Sequence, residues 1–267
     1  MTAYTKLIVD LDGTLYRGPE PLPAAVETME RLRHSCSVLF LSNNCNQSSD
    51  HLARRLRGLG FEAGAHEVVS SVTLMVEAVN ELGSGLRVLT FSSGDIDAAL
   101  EEAGHHVVEG HRADVVVVGV DFGFGYDGIA RVLHALLAGA ILIGANADAT
   151  YPTENGPRPA AGVFVGAIRG MGFAPVRMCG KPDPWAMRRA FELRGFEPGP
   201  DCLLVGDRLD SDILGAQVID IDSTLVLTGA TSRVSASRFE PPPTYILKAF
   251  SDLLDVIDTS TRGSSRA

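Results

Sequence analysis

The stretch Leu7-Ile8-Val9-Asp10-Leu11-Asp12-Gly13-Thr14-Leu15 decides how the rest of the chain is read. Its apolar, partly β-branched start predicts a short buried strand. The strand ends on two carboxylates one residue apart, then a glycine. Open α/β sheets carry their chemistry at such carboxyl ends of strands. On an extended backbone Asp10 and Asp12 would face the same way. A turn at Gly13 can splay them, so that one acid attacks while the other moves protons. Taken alone, the Asp-x-Asp pair fits equally well an acidic strand end running into a solvated turn.

Outward from this stretch, strands and helices alternate. Residues 21–33 carry Ala25, Met29 and Leu32 at helical spacing, and residues 38–41 form a second buried strand ending in Ser42-Asn43-Asn44. Ser48 and Ser49 offer caps for a helix over 50–59 that Gly60 closes, and a helix over 71–82 ends at Gly83-Ser84-Gly85. A second series follows, with strands at 87–91, 115–118 and 140–143 and helices at 95–103 and 127–137. The Gly/Pro-rich loop 146–159 then leads into a helix over 163–169. The last third returns to the first pattern. Gly180-Lys181-Pro182 precedes a helix over 184–194, and a strand at 203–205 runs into Gly206-Asp207. Residues 211–216 read as helical, 224–227 as a strand, 241–243 as a stiff turn and 250–257 as a last helix. Near-continuous apolar strands in β-α alternation predict a mostly parallel sheet covered on both faces. The middle block, with a sheet of its own, reads as an insertion. The expected organisation is a discontinuous core of 1–81 and 179–258, an inserted domain of 82–178 and a flexible polar tail of 259–267.

The chain of 267 residues is 45% hydrophobic and carries a net charge of −10. That balance argues against nucleic acid or an anionic membrane as partner, since both attract basic surface. No apolar run reaches membrane-spanning length, and without a basic and then an apolar region at its start no signal peptide is expected. Cys36, Cys45, Cys179 and Cys202 are scattered without paired spacing, so free thiols in a cytoplasmic setting are expected.

Four polar clusters follow apolar runs or sit at loop ends: Asp10/Asp12, Ser42-Asn43-Asn44, Lys181 and Asp207/Asp212. A parallel sheet aligns its strand carboxyl ends along one edge, where such groups can meet. Carboxylates with few other ligand types suit a hard cation, and Mg²⁺ is favoured because it shares its coordination with phosphate and water. Lys181 adds a point charge, and Ser42 with the backbone amides beside Asn43 can donate to phosphoryl oxygens. Phosphoryl transfer calls for this set: an in-line nucleophile, a metal, donors around the equatorial oxygens and an acid for the leaving group. Singly, Lys181 reads as a surface lysine, Ser42-Asn43-Asn44 as a strand-to-helix turn and residues 206–212 as a solvated acidic loop. Their joint occurrence, in this order, carries the argument.

These four clusters resemble the signatures of the haloacid dehalogenase (HAD) superfamily of phosphatases, over nearly the whole chain. Asp10-Leu11-Asp12-Gly13-Thr14 is similar to the first signature, Ser42 stands in the second, Lys181 in the third and Gly206-Asp207 with Asp212 in the fourth. The resemblance implies a Rossmann-like, doubly wound parallel-sheet core with an inserted α/β C2 cap. It also implies that Asp10 is the nucleophile forming an aspartyl-phosphate and Asp12 the general acid/base. Mg²⁺ would be held by the Asp10 side chain, the Asp12 backbone carbonyl and Asp207, with Asp212 orienting a metal water or Lys181. Ser42, Asn43, Asn44 and Lys181 would bind the phosphoryl group. Leu15-Tyr16-Arg17-Gly18 and Gly180-Lys181-Pro182-Asp183-Pro184 are similar to the C2-capped group of p-nitrophenylphosphatase-like and NagD-type enzymes. Asn146-x-Asp148 is similar to that group's cap, and Pro243-Thr244-Tyr245-Ile246 to its glycerol-3-phosphate phosphatases. C2 caps in similar proteins can mediate homodimers. The chain departs from the pattern at Cys45, where serine is usual, and at Ala160 and Asp220, where glycines are expected.

The resulting expectation is a Mg²⁺-dependent phosphomonoesterase for a small phosphorylated metabolite of the glycerol phosphate, phosphoglycolate or sugar phosphate type. A nucleotide or pyridoxal phosphate phosphatase is the alternative substrate reading. A phosphotransferase uses the same parts with an alcohol acceptor. A non-catalytic phosphoryl-ligand binding module would not need the proton-shuttling Asp12. Gly119 to Gly125 is glycine-rich but lacks the spacing of a dinucleotide site. Tyr151, Glu154 and Arg158 in the 146–162 loop are the candidate readers of the leaving group.

Overall fold

The first strand forms as Lys6–Val9, with Leu7, Ile8 and Val9 fully buried. In the computed structural model, which describes residues 3–110, 112–153 and 156–264, it lies inside a six-stranded sheet. The strand order is Tyr245–Leu247, Asp222–Val226, Cys202–Gly206, Lys6–Val9, Ser37–Ser42 and Val68–Ser70. The first five strands pair in parallel. The register sets Val9 beside both Val205 and Phe40, so Asp10 and Asp207, just past their strands, and Ser42, the last residue of its own, lie at the same edge. The strand order reverses across Lys6–Val9, the crevice where α/β sheets bind ligands. Leu7, Val9, Leu11, Leu15, Phe40, Leu203, Val205 and Phe250 belong to one buried apolar cluster.

That sheet belongs to the first of two units, Met1–Ser42, Leu52–Val69 and Met187–Ala267. The second unit comprises Asn43–His51 and Ser70–Ala186. Its own parallel sheet has five strands in the order Arg177–Met178, Ile141–Gly144, Val115–Val118, Arg87–Phe91 and His106–Val107. Val115 to Val118 are at most 1% exposed, as their uninterrupted apolar run requires. The rings of Phe91, Phe124 and Phe164 pack beside this sheet, the last two with centroids 5.2 Å apart. Asn46 ties its loop to this unit by donating from Nδ2 to the carbonyls of Ser93 and Val120, at 2.6 and 3.0 Å. The Ser48 amide donates to Asp95 at 2.8 Å.

Helix ends follow their caps. Ser70 Oγ accepts from the Thr73 amide at the start of Ser71–Leu82, and Ser48 Oγ from the His51 amide before Ser49–Gly58. Four short edge strands, Val68–Ser70, His106–Val107, Arg177–Met178 and Tyr245–Leu247, were not expected from the sequence. Each has only two or three residues, too few to leave a period. The helix expected over 211–216 is a π-helical turn, Leu209–Ile213, followed by an α-helix, Leu214–Val218. The last helix runs from Leu253 to Ser264, beyond the start of the polar stretch read as a tail. Residues 265–267 of that stretch lie outside the described residues. All four cysteines are buried free thiols. Among the described residues no helix is long and apolar enough to cross a membrane.

Two of the three sequence departures have a structural reading. Asp220 adopts φ +57°, the left-handed backbone for which glycine is the usual choice. Ala160 has φ −100°, open to any residue, and precedes the helix Ala161–Gly170 without a side-chain cap. Cys45 is buried, and burial pushes its thiol up to about 11.

Candidate active site

In the first unit Asp10 leaves the central strand with its amide still donating to the Val205 carbonyl at 2.9 Å. Gly13 then takes φ +84°, and its amide donates to the Tyr16 carbonyl at 2.8 Å. This tight turn separates the two acids. The Asp10 carboxylate stands with those of Asp207 and Asp212, each offering an oxygen within 4.8 Å of the others. The Asp12 carboxylate is outside that group and accepts instead from the Tyr16 hydroxyl at 3.2 Å.

The three grouped acids are 9%, 2% and 0% exposed, in the order Asp10, Asp207, Asp212. Three buried like charges at this separation cost free energy unless a cation joins them. An all-carboxylate donor set fits Mg²⁺ or another hard cation. Neighbouring groups hold each acid in place. Thr14 Oγ1 donates to Asp10 Oδ2 at 3.2 Å. The Ala230 amide donates to Asp207 Oδ2 at 2.5 Å, and the Arg208 amide to Asp212 Oδ2 at 3.0 Å. Glycines make room for these side chains: a Cβ at Gly206 would overlap the Asp212 carboxylate, and one at Gly229 that of Asp207. Thr228 Oγ1 donates to the Gly13 carbonyl at 2.6 Å, drawing residue 228 against the turn that follows Asp10. Sequence reasoning missed this loop. Its signal was a Thr-Gly pair, Thr228-Gly229, one residue after the Asp222–Val226 strand.

Tyr16 was also unassigned beyond its family match. Its side chain is fully buried, and burial, then the charge of Asp12, push the phenol well above its ordinary range, so that it remains a donor. Arg55 lies over its ring at 4.4 Å and donates to the Gly18 carbonyl at 2.9 Å. Ser42 ends its strand buried, 5% exposed.

The remaining expected residues form a second cluster, within the second unit. Asn43 clamps the backbone of Lys181: Oδ1 accepts from its amide at 2.8 Å, and Nδ2 donates to its carbonyl at 3.0 Å. The same Nδ2 donates to Asp148 at 3.0 Å. Asn146 donates to the Asn43 carbonyl at 2.7 Å, and its Oδ1 accepts from the Asp148 amide at 3.2 Å. Gly180 is required by this packing, because a Cβ there would come within 2.9 Å of Asn43, Asn146 and Ser71. Lys181 itself is 2% exposed, so it is a core residue and not a surface lysine. The Asn43 side chain is thus engaged with Lys181 and Asp148. Asn44 Oδ1 accepts the amides of Asn46 and Gln47, both at 2.9 Å, and turns the chain towards the next helix. In the 146–162 loop Tyr151 and Arg158 sit on the antiparallel hairpin Thr150–Tyr151 and Arg158–Pro159, and Glu154 lies outside the described residues.

Comparison with known proteins agrees with this geometry. Residues 7–106 match the haloacid dehalogenase-like hydrolase family and residues 178–253 a second HAD-hydrolase-like family. A D-glycerol 3-phosphate phosphatase of Mycobacterium tuberculosis is 36% identical over 245 residues, 90% of this chain and 68% of that protein. An acid sugar phosphatase of Staphylococcus saprophyticus is 31% identical over 259 residues, 96% of this chain and 98% of that protein. Among solved structures, a p-nitrophenyl phosphatase from Archaeoglobus fulgidus superposes with a TM-score of 0.89 at 29% identity, covering 95% of this chain and 99% of that one. The M. tuberculosis glycerol phosphate phosphatase in complex with magnesium gives 0.85 at 36% identity, covering 94% and 76%.

Proposed function

Because the chain belongs to the haloacid dehalogenase-like hydrolases, we propose that it is a Mg²⁺-dependent phosphomonoesterase acting through an aspartyl-phosphate on Asp10. The buried carboxylates of Asp10, Asp207 and Asp212, with oxygens within 4.8 Å of one another, carry this reading. Asp10 attacks phosphorus in line with the leaving oxygen. As the Asp10 O–P bond forms and the P–O bond to the alcohol breaks, Asp12 gives its proton to the leaving oxygen. Asp12 then accepts a proton from water, which attacks phosphorus and regenerates the Asp10 carboxylate. Asp10 and Asp207 with the Asp12 carbonyl would hold Mg²⁺, which supplies charge neutralisation at the phosphoryl oxygens. Asp212, grouped with Asp10 and Asp207, would add negative charge beside the ion.

Ser42, the backbone amide of Asn43 and the ammonium of Lys181 receive the phosphoryl oxygens in this reading. Asn44 contributes by shaping the turn that follows it. Residues 82–178 act as a C2 cap inserted into a core of 1–81 and 179–258, and their 146–162 loop reads the leaving group. A small phosphorylated polyol or sugar is the favoured substrate class, in keeping with relatives named for glycerol 3-phosphate and acid sugar phosphates. Four buried free thiols fit a reducing, cytoplasmic setting, and a net charge of −10 disfavours nucleic acid and anionic membranes. A homodimer through the cap draws support from exposed Phe122, Phe124 and Tyr126 on the insert.

The test is phosphate release in Mg²⁺ from a panel of glycerol phosphate, phosphoglycolate, sugar phosphates, pyridoxal phosphate and nucleotides. Hydrolysis of at least one, abolished in Asp10→Asn, is expected. Silence across the panel would leave a phosphoryl-ligand binder, and phosphate recovered on an added alcohol would make the protein a transferase.

A further inference from the structure

The Asp-x-Asp motif accounts for two acids, yet the structure gives the second acid a dedicated neighbour. Tyr16 lies four residues after Asp12 and returns beside it through a β-bridge. Two backbone hydrogen bonds fix this return, Gly13 N–H to the Tyr16 carbonyl at 2.8 Å and Leu15 N–H to the Leu11 carbonyl at 2.9 Å. The phenol ring is wholly buried within the apolar cluster that includes Leu11 and Leu15. The Arg55 guanidinium covers one side of the ring and is itself anchored on Gly18. Such a ring cannot swing, and its hydroxyl donates to Asp12 Oδ2 at 3.2 Å.

We propose that Tyr16 is a positioning residue for the general acid: its fixed hydroxyl, on Asp12 Oδ2, holds the Asp12 carboxyl in one orientation for proton delivery. The inference rests on the phosphomonoesterase reading and deepens it. In the first half-reaction the Asp10 O–P bond forms, the bond from phosphorus to the leaving oxygen breaks, and the proton on the Asp12 carboxyl passes to that oxygen. Tyr16 keeps its own proton throughout. A carboxylate free to rotate about its last bond spends part of its time with the wrong oxygen, or its proton, turned away. The fixed phenol removes that loss.

The chemistry supplies a discriminating measurement, because the benefit of a positioned acid depends on the leaving group. An alkyl phosphate such as glycerol 3-phosphate expels a strongly basic alkoxide and needs the proton. p-Nitrophenyl phosphate expels a stabilised phenolate and hardly needs it. Tyr16→Phe, which keeps the ring and its stacking on Arg55, is compared with the unaltered protein in Mg²⁺ on both substrates. The expected result is a fall in kcat/KM of about ten-fold on the alkyl phosphate, part of what general acid catalysis contributes, against less than about two-fold on the aryl phosphate. In an Asp12→Asn background the same substitution should produce no further leaving-group-dependent loss. Equal falls on both substrates, no fall on the alkyl phosphate, or an undiminished effect in the Asp12→Asn background would overturn the assignment. Hydrolysis of neither substrate by the unaltered protein would instead sink the phosphatase reading itself. A Tyr16→Phe protein that melts early is read from the Asp12→Asn cycle, where a general loss of fold is shared by both substrates.

Discussion

The acids of the first unit and the amides of the second are held by opposite means. Asp10, Asp207 and Asp212 bring their carboxylates together, and the Thr14 hydroxyl, backbone amides and glycine-lined space position them. Asn43, Asn44 and Asn146 direct their side chains at the chain itself, clamping Lys181, turning the backbone and tying Asp148 in place. The acids are thus the groups being positioned, and the asparagines are groups that do the positioning. Sequence similarity marks both kinds alike; only their partners tell them apart.

The sharpest way to break this contrast is to remove one group of each kind. Asp10→Asn should lower kcat by at least about 1000-fold with the fold unchanged by circular dichroism, as expected for a nucleophile. Asn43→Ala should lower both properties. Loss of the clamp leaves buried Lys181 backbone groups unpaired, at about 1–3 kcal/mol by urea unfolding. Activity should fall about 10- to 100-fold through displacement of Lys181, as for residues that orient a ligand-binding group. An Asn43→Ala protein of normal stability would show that the clamp does not act as drawn.

Metal binding sharpens the contrast. Mg²⁺ at about 100 times its Kd should stabilise the protein by about 2.7 kcal/mol in thermal unfolding. Asp212→Asn should shrink that gain, because it removes one of the three grouped carboxylates. A gain equal to that of the unaltered protein would exclude Asp212 from the metal's surroundings.

An ion pair outside both clusters should move stability alone. Burial favours the neutral form of Glu67, but the paired hydrogen bonds from Arg33, at 3.0 and 2.8 Å, and the Gly64 amide outweigh it and lower the pKa. The folded value therefore lies below the unfolded one, about 4.3. The contribution of Glu67 is complete above that pH and is lost as pH falls through the folded value. Glu67→Gln should cost about 2 kcal/mol at pH 7, a cost that fades in acid, with kcat unchanged. The smallest effect belongs to Asp220→Gly. Relief of the left-handed backbone, offset by a freer unfolded chain, should stabilise by about 0.5 kcal/mol in the same unfolding assay.

Much of the candidate site could be proposed from the sequence because acids that immediately follow short apolar strands stand out locally. The run Leu7 to Val9 and the run Leu203 to Val205 are buried and paired in parallel, and Asp10 and Asp207 follow them at once. The Thr228–Gly229–Ala230 loop was not legible, since its contribution is a hydroxyl, an absent side chain and an amide brought against residues 13 and 207. No local pattern announces a partner 23 positions away, still less one 215 positions away.

The amino-acid sequence by itself determined the parallel architecture and the acids at the strand ends, because periodicity and strand-end chemistry are local properties. Tertiary structure alone decided which acids gather. It drew Asp212 in beside Asp10 and Asp207, turned Asp12 towards Tyr16 and buried Lys181 under the Asn43 clamp. These are relations between residues distant in sequence or turned by a single glycine, and the folded chain sets them through sheet register and close packing.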